Sequence, residues 1–486
     1  MRRTEGSRDG TLERLAAACI FPSFPGLEAP GWVLRRVEEG LGGICLFAYN
    51  VGDPEQLAEL TASLREARPD VLIGIDEEGG DVTRLEAGRG SSYPGNCALG
   101  AVDDEALTEQ VAAAIGADLA AVGVNLDFAP VADVNANPAN PVIGIRSFGA
   151  NAELVARHVA VFVTGLQGQG IAACAKHFPG HGDTAQDSHL ELPTSDADLN
   201  EGLEPFRAAI AAQVQSIMTA HIRVPALDEA PATLSPRVVT GLLRGELGFD
   251  GLVIADALEM KAVSATYGVA RAAVLAIAAG VDALLVGHDL GEEAVEIVQR
   301  ALVEGVAAGD LPEARLREAA EQVARVGAWA AAQRPAGDVE REAGRVVARR
   351  ALEVVGNISL DADPLVVELR PPANVAAGEA EHSLASALAQ RFPATQTVVL
   401  DEENADPARV FGAQGDRSMI VVVRDAHRHA WMQDLTPRLA PRIVVEVGLP
   451  LWRPAGTSAY VATRGGSRVQ FEALAELLAE TSAVRA

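Results

Sequence analysis

The chain has 486 residues, 49% of them apolar, which is enough for a sizeable core and more than one compact domain. Asp and Glu outnumber Lys and Arg by 67 to 40, giving a net charge of −27 that repels phosphate backbones and anionic lipid. Neither nucleic acid nor a membrane surface is therefore an expected partner. Cys19, Cys45, Cys97 and Cys174 show no metal spacing and no disulfide framework, and read as buried free thiols. The N-terminal MRRTEGSRDGTLERL has early arginines but no following apolar region. No signal peptide and no run of about 18 apolar residues is seen, so the expected location is the cytoplasm.

In chain order, short apolar runs alternate with longer amphipathic stretches. The runs are Ala18–Phe21, Gly43–Phe47, Val71–Ile75, Val124–Phe128, Ala172–Lys176, Ser216–Ala220, Gly251–Ala255 and Asp282–Val286. They read as parallel strands buried on both faces, and Glu105–Ala121 and Ala152–Gln167 read as helices between them. This alternation predicts a (β/α)8 TIM-type barrel over residues 1–335. Two helices broken near Gly309–Pro312 close it. A linker at Arg334–Asp338 and a helix at Val339–Val355 make a connection over 336–356. The alternation then restarts over 357–486, with strands at Pro364–Leu369, Thr397–Leu400, Ser418–Asp425, Arg442–Gly448 and Ser458–Ala462. That predicts a smaller α/β (αβα) sandwich domain with a largely parallel sheet.

Active sites of parallel barrels lie at the carboxyl ends of the strands. Polar residues gather there: Asp76, Glu77, Glu78 and Arg84, then Asp133 and Arg146, then Lys176 to His189, His221 and Asp256. Packing alone would scatter them. The segment Lys176–His189 holds Lys176, His177, His181, Asp183, Asp187 and His189 around Gly180 and Gly182. Its histidines read either as structural hydrogen-bonding groups, as metal ligands with Asp183, or as catalytic groups. Pro179, Gly180 and Gly182 rule out ligands presented on one helix. Asp256 reads either as a helix N-cap or as a carboxylate nucleophile in the barrel mouth.

The segments KHFPGHGDTAQDSHLELPT, IDEEGG, NPVIGIRSFG, MTAHIRVPALDEAPATLSP and GFDGLVIADALEM resemble the family 3 glycoside hydrolases. The likeness is to their bacterial β-N-acetylglucosaminidase branch, in its two-domain type. The resemblance implies that Asp256 is the nucleophile. It also implies that His189 is the general acid/base, oriented by Asp187. Asp76, Arg84, Arg146, Lys176 and His177 are implied to bind the sugar. The family commonly has Gln where Glu77 stands and Arg where Asp81 stands; Asp81 is expected to face the barrel wall. No cofactor and no metal are implied.

The chemistry is coherent on its own terms. A retaining glycosidase needs a nucleophile below the anomeric carbon and a proton donor beside the leaving oxygen. An imidazole, titrating near pH 6.5, can give a proton and later take one back. The resemblance further implies a small GlcNAc-containing carbohydrate as substrate, from muropeptides or chitooligosaccharides. Phosphorolysis, β-glucosidase action, a carbohydrate-binding protein and a metal-dependent hydrolase are the competing readings. His427 and His429, after a C-terminal strand, read as exposed loop histidines.

Overall fold

The computed structural model describes residues 5–195, 199–287, 291–334, 337, 339–372, 382–457 and 459–483. They form two compact units. The first comprises Met1–Glu77, Thr108–Asn140 and Ala150–Glu340. The second comprises Glu78–Leu107, Pro141–Gly149 and Arg341–Ala486.

In the first unit each of the eight apolar runs becomes a strand. These are β1 (Ile20–Pro22), β2 (Gly43–Leu46), β3 (Leu72–Ile75), β4 (Leu126–Asp127), β5 (Ala172–Phe178), β6 (Ser216–Thr219), β9 (Leu252–Ala255) and β10 (Ala283–Val286). A two-stranded antiparallel hairpin, β7 (Arg223–Val224) with β8 (Asp228–Pro231), interrupts the series. The eight are parallel in the order β1-β10-β9-β6-β5-β4-β3-β2, and β1 touches β2, so the sheet is a nearly closed barrel. Side chains of a strand alternate between faces. Phe21, Cys45, Leu72, Leu126, Phe128, Ala172, Cys174, Met218, Leu252, Ile254, Ala283 and Leu285 accordingly form one apolar cluster. Gly74 belongs to that packing, because a Cβ there would lie 2.6 Å from the Phe128 ring.

The expected helices form at Glu105–Ala121 and Ala152–Gly168, the latter capped by the Asn151 side chain on the Leu154 N–H. The break at Gly309–Pro312 separates Gly291–Ala308 from Glu313–Ala332. One expectation needs correction. The helix Lys261–Ala279, with 19 residues, is long and apolar enough to cross a membrane by composition alone. It buries Ala272, Ala273, Ala276 and Ile277 in the barrel unit.

The second unit holds a six-stranded sheet ordered β11-β16-β15-β14-β12-β13. Its strands are β11 (Glu353–Gly356), β12 (Pro364–Leu369), β13 (Gln396–Leu400), β14 (Ser418–Val423), β15 (Ile443–Glu446) and β16 (Ala459–Ala462). All pairings are parallel except β11 with β16. Val366, Ile420, Val422, Ile443, Val445 and Val461 pack on one face with Leu384, Leu388, Leu474 and Leu478. Leu365, Val367, Val421, Val423, Val444 and Tyr460 pack on the other with Val410, Met432, Leu435 and Leu439.

The predicted helix over Val339–Val355 forms only in its middle. A helix runs only over Ala343–Arg350, and Glu353–Gly356 is an edge strand. The β-branched pair Val354–Val355 suits an extended chain, and β16 offers its free edge. Linker residues 335, 336 and 338 lie outside the described residues.

Candidate active site

The site begins where the inward rows of the barrel strands run past their apolar rungs. After Leu72 and Gly74 the next inward position is Asp76; after Ala172 and Cys174 it is Lys176; after Leu252 and Ile254 it is Asp256. The Lys176 ammonium donates to Asp76 Oδ1 at 2.6 Å although the lysine is only 1% exposed. A buried ammonium without a carboxylate partner would be costly, so the two hold each other in place.

Asp133, fully buried after β4, gathers the base of the loop that follows β5. Its Oδ2 accepts from His177 Nδ1 at 2.7 Å. Its Oδ1 accepts the His181 N–H at 2.6 Å and the His177 N–H at 3.3 Å. Burial pushes the Asp133 carboxyl up, but His177 and His181 outweigh it, and the net shift is below the ordinary carboxylate range. Gly182 is needed here because any Cβ would strike the Val134 carbonyl oxygen. The Ala129–Pro130, Lys176–His177 and Phe178–Pro179 peptides are cis.

Further along the loop, His189 Nδ1 donates to Asp187 Oδ1 at 2.7 Å, and the His189 N–H donates to the same oxygen at 2.9 Å. One carboxylate thus fixes the ring and its backbone together. Burial raises the Asp187 pKa, but the bonds from His189 bring it below its usual value. The bond uses Nδ1 of the imidazole, and the pair is only partly buried.

Asp256 is not a helix N-cap: the next helix starts at Lys261, with Met260 in the capping position. Its Oδ1 accepts the Ala257 N–H at 2.8 Å. Burial pushes its carboxyl up, but the fields of His221, His177 and His189 and the Ala257 N–H together hold it below the ordinary range. A carboxyl held below the ordinary range is an anion at neutral pH. His221, fully buried, donates Nε2–H to the Ala257 carbonyl at 3.0 Å, and burial lowers its pKa.

Asp76, Lys176, His177, Asp187, His189 and Asp256 lie in the first unit; Arg84 and Arg146 lie in the second. Arg146 is 8% exposed and forms a fork on Glu78, at 2.9 Å from Nε and 2.7 Å from the second amino group. Arg84 is partly buried. Asp81 is paired with Arg424 and accepts the Gly466 N–H at 2.8 Å, so its partners are in the second unit and not the barrel wall. Glu77 is buried, and its N–H donates to Asp127 Oδ1 at 3.0 Å. His427 and His429 are partly buried rather than exposed, in and just after a turn at Ala426–Arg428.

The sequence named Asp133 and His221 as polar residues at strand ends without a role, and weighed the loop residue His181 only as a structural, metal-binding or catalytic group among others. For the first two, the position at a strand end was the only available signal. Among the described residues no group of three His, Cys, Asp or Glu side chains is arranged to hold a metal ion. All four cysteines are free and buried.

The chain is similar to known proteins. Residues 35–326 match the model for the Glycosyl hydrolase family 3 N terminal domain. Beta-hexosaminidase A of Pseudoalteromonas piscicida is 39% identical over 271 residues, 50% of this chain and 45% of that protein. The match therefore spans less than half of that relative's length. Beta-hexosaminidase of Pseudomonas aeruginosa is 38% identical over 265 residues, 53% of this chain and 77% of that protein. The solved structure of a glycoside hydrolase family 3 beta-N-acetylglucosaminidase from Paenibacillus sp. str. FPU-7 superposes with a TM-score of 0.86. It is 34% identical, with 97% of each chain covered. Since the family model covers more than half of the sequence, this chain belongs to glycosyl hydrolase family 3 and is a glycoside hydrolase.

Proposed function

We propose that the chain is a retaining β-N-acetylglucosaminidase that releases terminal β-linked GlcNAc from muropeptides or chitooligosaccharides. What supports the reading is Asp256 at the carboxyl end of β9, its Oδ1 on the Ala257 N–H, together with a His189 ring bound through Nδ1 to Asp187. The Paenibacillus and Pseudomonas relatives carry names of this activity class.

In the first step Asp256 attacks the anomeric carbon as the glycosidic C–O bond breaks, and His189 Nε2–H protonates the leaving oxygen. Asp187 stabilises the imidazolium before transfer and keeps the ring oriented, as the aspartate of a serine-protease triad does. In the second step the now neutral His189 takes a proton from water, which attacks the anomeric carbon and frees Asp256. Asp76 and Lys176 at the barrel mouth, with His177, are assigned to the sugar hydroxyls and amide. Cofactors have no part in this scheme. Four buried free thiols suit a reducing compartment such as the cytoplasm.

The test is a panel of aryl glycosides. Turnover of the N-acetylglucosaminide, little turnover of the glucoside, and labelling of Asp256 by a 2-fluoro sugar are expected. Labelling elsewhere would remove the nucleophile assignment. A second reading, phosphorolysis, is favoured by one feature: a neutral imidazole does not repel phosphate as a carboxylate would. Sugar 1-phosphate in phosphate buffer would establish it, and free GlcNAc alone would dismiss it.

A further inference from the structure

We propose that His181 is a positioning residue that holds the Asp187–His189 pair in its working place by gripping Ser188, the residue between them. The inference rests on the acid/base role proposed for His189.

His181 is 2% exposed and every polar atom it carries is engaged. Its N–H is held by Asp133 at 2.6 Å. Its Nδ1 lies 2.8 Å from Thr184 Oγ1, and its Nε2 lies 3.0 Å from Ser188 Oγ. Burial lowers the ring's pKa, so it is neutral and carries one N–H. The neighbours determine which nitrogen carries it. Thr184 Oγ1 also sits 3.1 Å from the His181 carbonyl, to which only its hydroxyl hydrogen can donate. Asn140 Nδ2 donates to the His181 carbonyl at 2.8 Å and to Thr184 Oγ1 at 3.3 Å. The arrangement that satisfies every group has Nδ1–H donating to Thr184, Thr184 O–H donating to the carbonyl, and Ser188 O–H donating to Nε2. Ser188, itself 2% exposed, then has one acceptor for its hydroxyl, and that acceptor is fixed.

The result is a continuous chain of hydrogen bonds from the barrel to the proton donor. Asp133, after β4, holds both His177 at the strand end and His181 in the loop. His181 holds Ser188. Ser188 is covalently flanked by Asp187 and His189. Asn137 ties the loop backbone at residues 182–184 and the Ala262 N–H holds the Ser188 carbonyl at 3.4 Å, while the His181 ring supplies the side-chain tie to the residue between the pair. The requirement is strict, because a shift of about 1 Å in a catalytic group can cost on the order of 100-fold in rate.

The experiment measures kcat/KM of the full chain with a 4-nitrophenyl N-acetylglucosaminide and with chitobiose, whose leaving group needs protonation. Ser188→Ala removes one hydroxyl and leaves the buried core intact. It should lower chitobiose turnover about 10- to 100-fold and the activated substrate far less. Ser188→Cys, a weaker donor, should recover part of the loss. His181→Asn should show the same selectivity, and the double variant should be no worse than His181→Asn alone, because both remove one bond. Equal losses on both substrates, or additive effects, overturn the proposal. His189→Ala is run beside them. If it is selective while Ser188→Ala is not, only this inference falls; if it is itself unselective, the acid assignment falls and this inference with it.

Discussion

Replacing Asp133 by Asn tests how much the site depends on one buried carboxylate. The side chains are nearly isosteric, so packing is preserved. The amide oxygen can go on accepting the His181 N–H at 2.6 Å and the His177 N–H at 3.3 Å. The amide nitrogen then stands where Oδ2 was, facing His177 Nδ1 at 2.7 Å. Two donors cannot share that line. The ring must give up its Nδ1 proton and carry it on Nε2, which reverses the hydrogen-bonding sense of the nitrogen left for the sugar. The lost interaction is a bond to an anion, worth about 1.5–3 kcal/mol. At roughly 1.4 kcal/mol per tenfold, kcat/KM should fall about 10- to 150-fold. His177 binds sugar in this scheme and does not transfer the proton, so the loss should appear mainly in KM. Steady-state kinetics with an aryl N-acetylglucosaminide measure it, and a urea titration separates it from general destabilisation. A variant with the parent's KM and a normal urea midpoint would refute the argument that Asp133 selects the tautomer.

The other predictions concern charge and stability. Lys176→Met leaves Asp76 without the ammonium 2.6 Å away and should raise KM about tenfold or more, with a smaller effect on kcat; an unchanged KM would place the pair outside the sugar site. Asp282 accepts the Val253 N–H at 2.9 Å and pairs with both Arg244 and Arg315. Asp282→Ala should therefore cost about 3–5 kcal/mol in urea unfolding while KM stays unchanged. His181 and His221 are both held below the ordinary imidazole pKa, in each case chiefly by burial. The unfolded chain thus binds more protons than the folded one once pH drops below about 6.5. Their contribution to stability is present above that value and is lost as pH falls through the folded pKa values. The urea midpoint should accordingly be lower at pH 5 than at pH 7; equal midpoints would contradict it.

How much of this was legible beforehand depends on whether the signal is local. Each barrel strand showed as an apolar run, since a strand covered on both faces has no polar side to keep. Their position directly after the apolar runs then put Asp76, Lys176 and Asp256 at the barrel mouth. Asp187 and His189, two residues apart in one turn, were also within reach of the sequence. The edge strand Glu353–Gly356 was not: Val354–Val355 continued a helical pattern, and only the free edge of β16 drew it out. Nor was the grouping of Glu78–Leu107 and Pro141–Gly149 with the C-terminal residues, or the pairing of Asp81 with Arg424 across 343 positions. Asp133 illustrates the difference best. Its place after β4 is written in the chain, but its partners His177 and His181 lie 44 and 48 residues on. Hydrophobic periodicity is set by neighbours in sequence, whereas a buried carboxylate is satisfied by whichever donors folding brings to it.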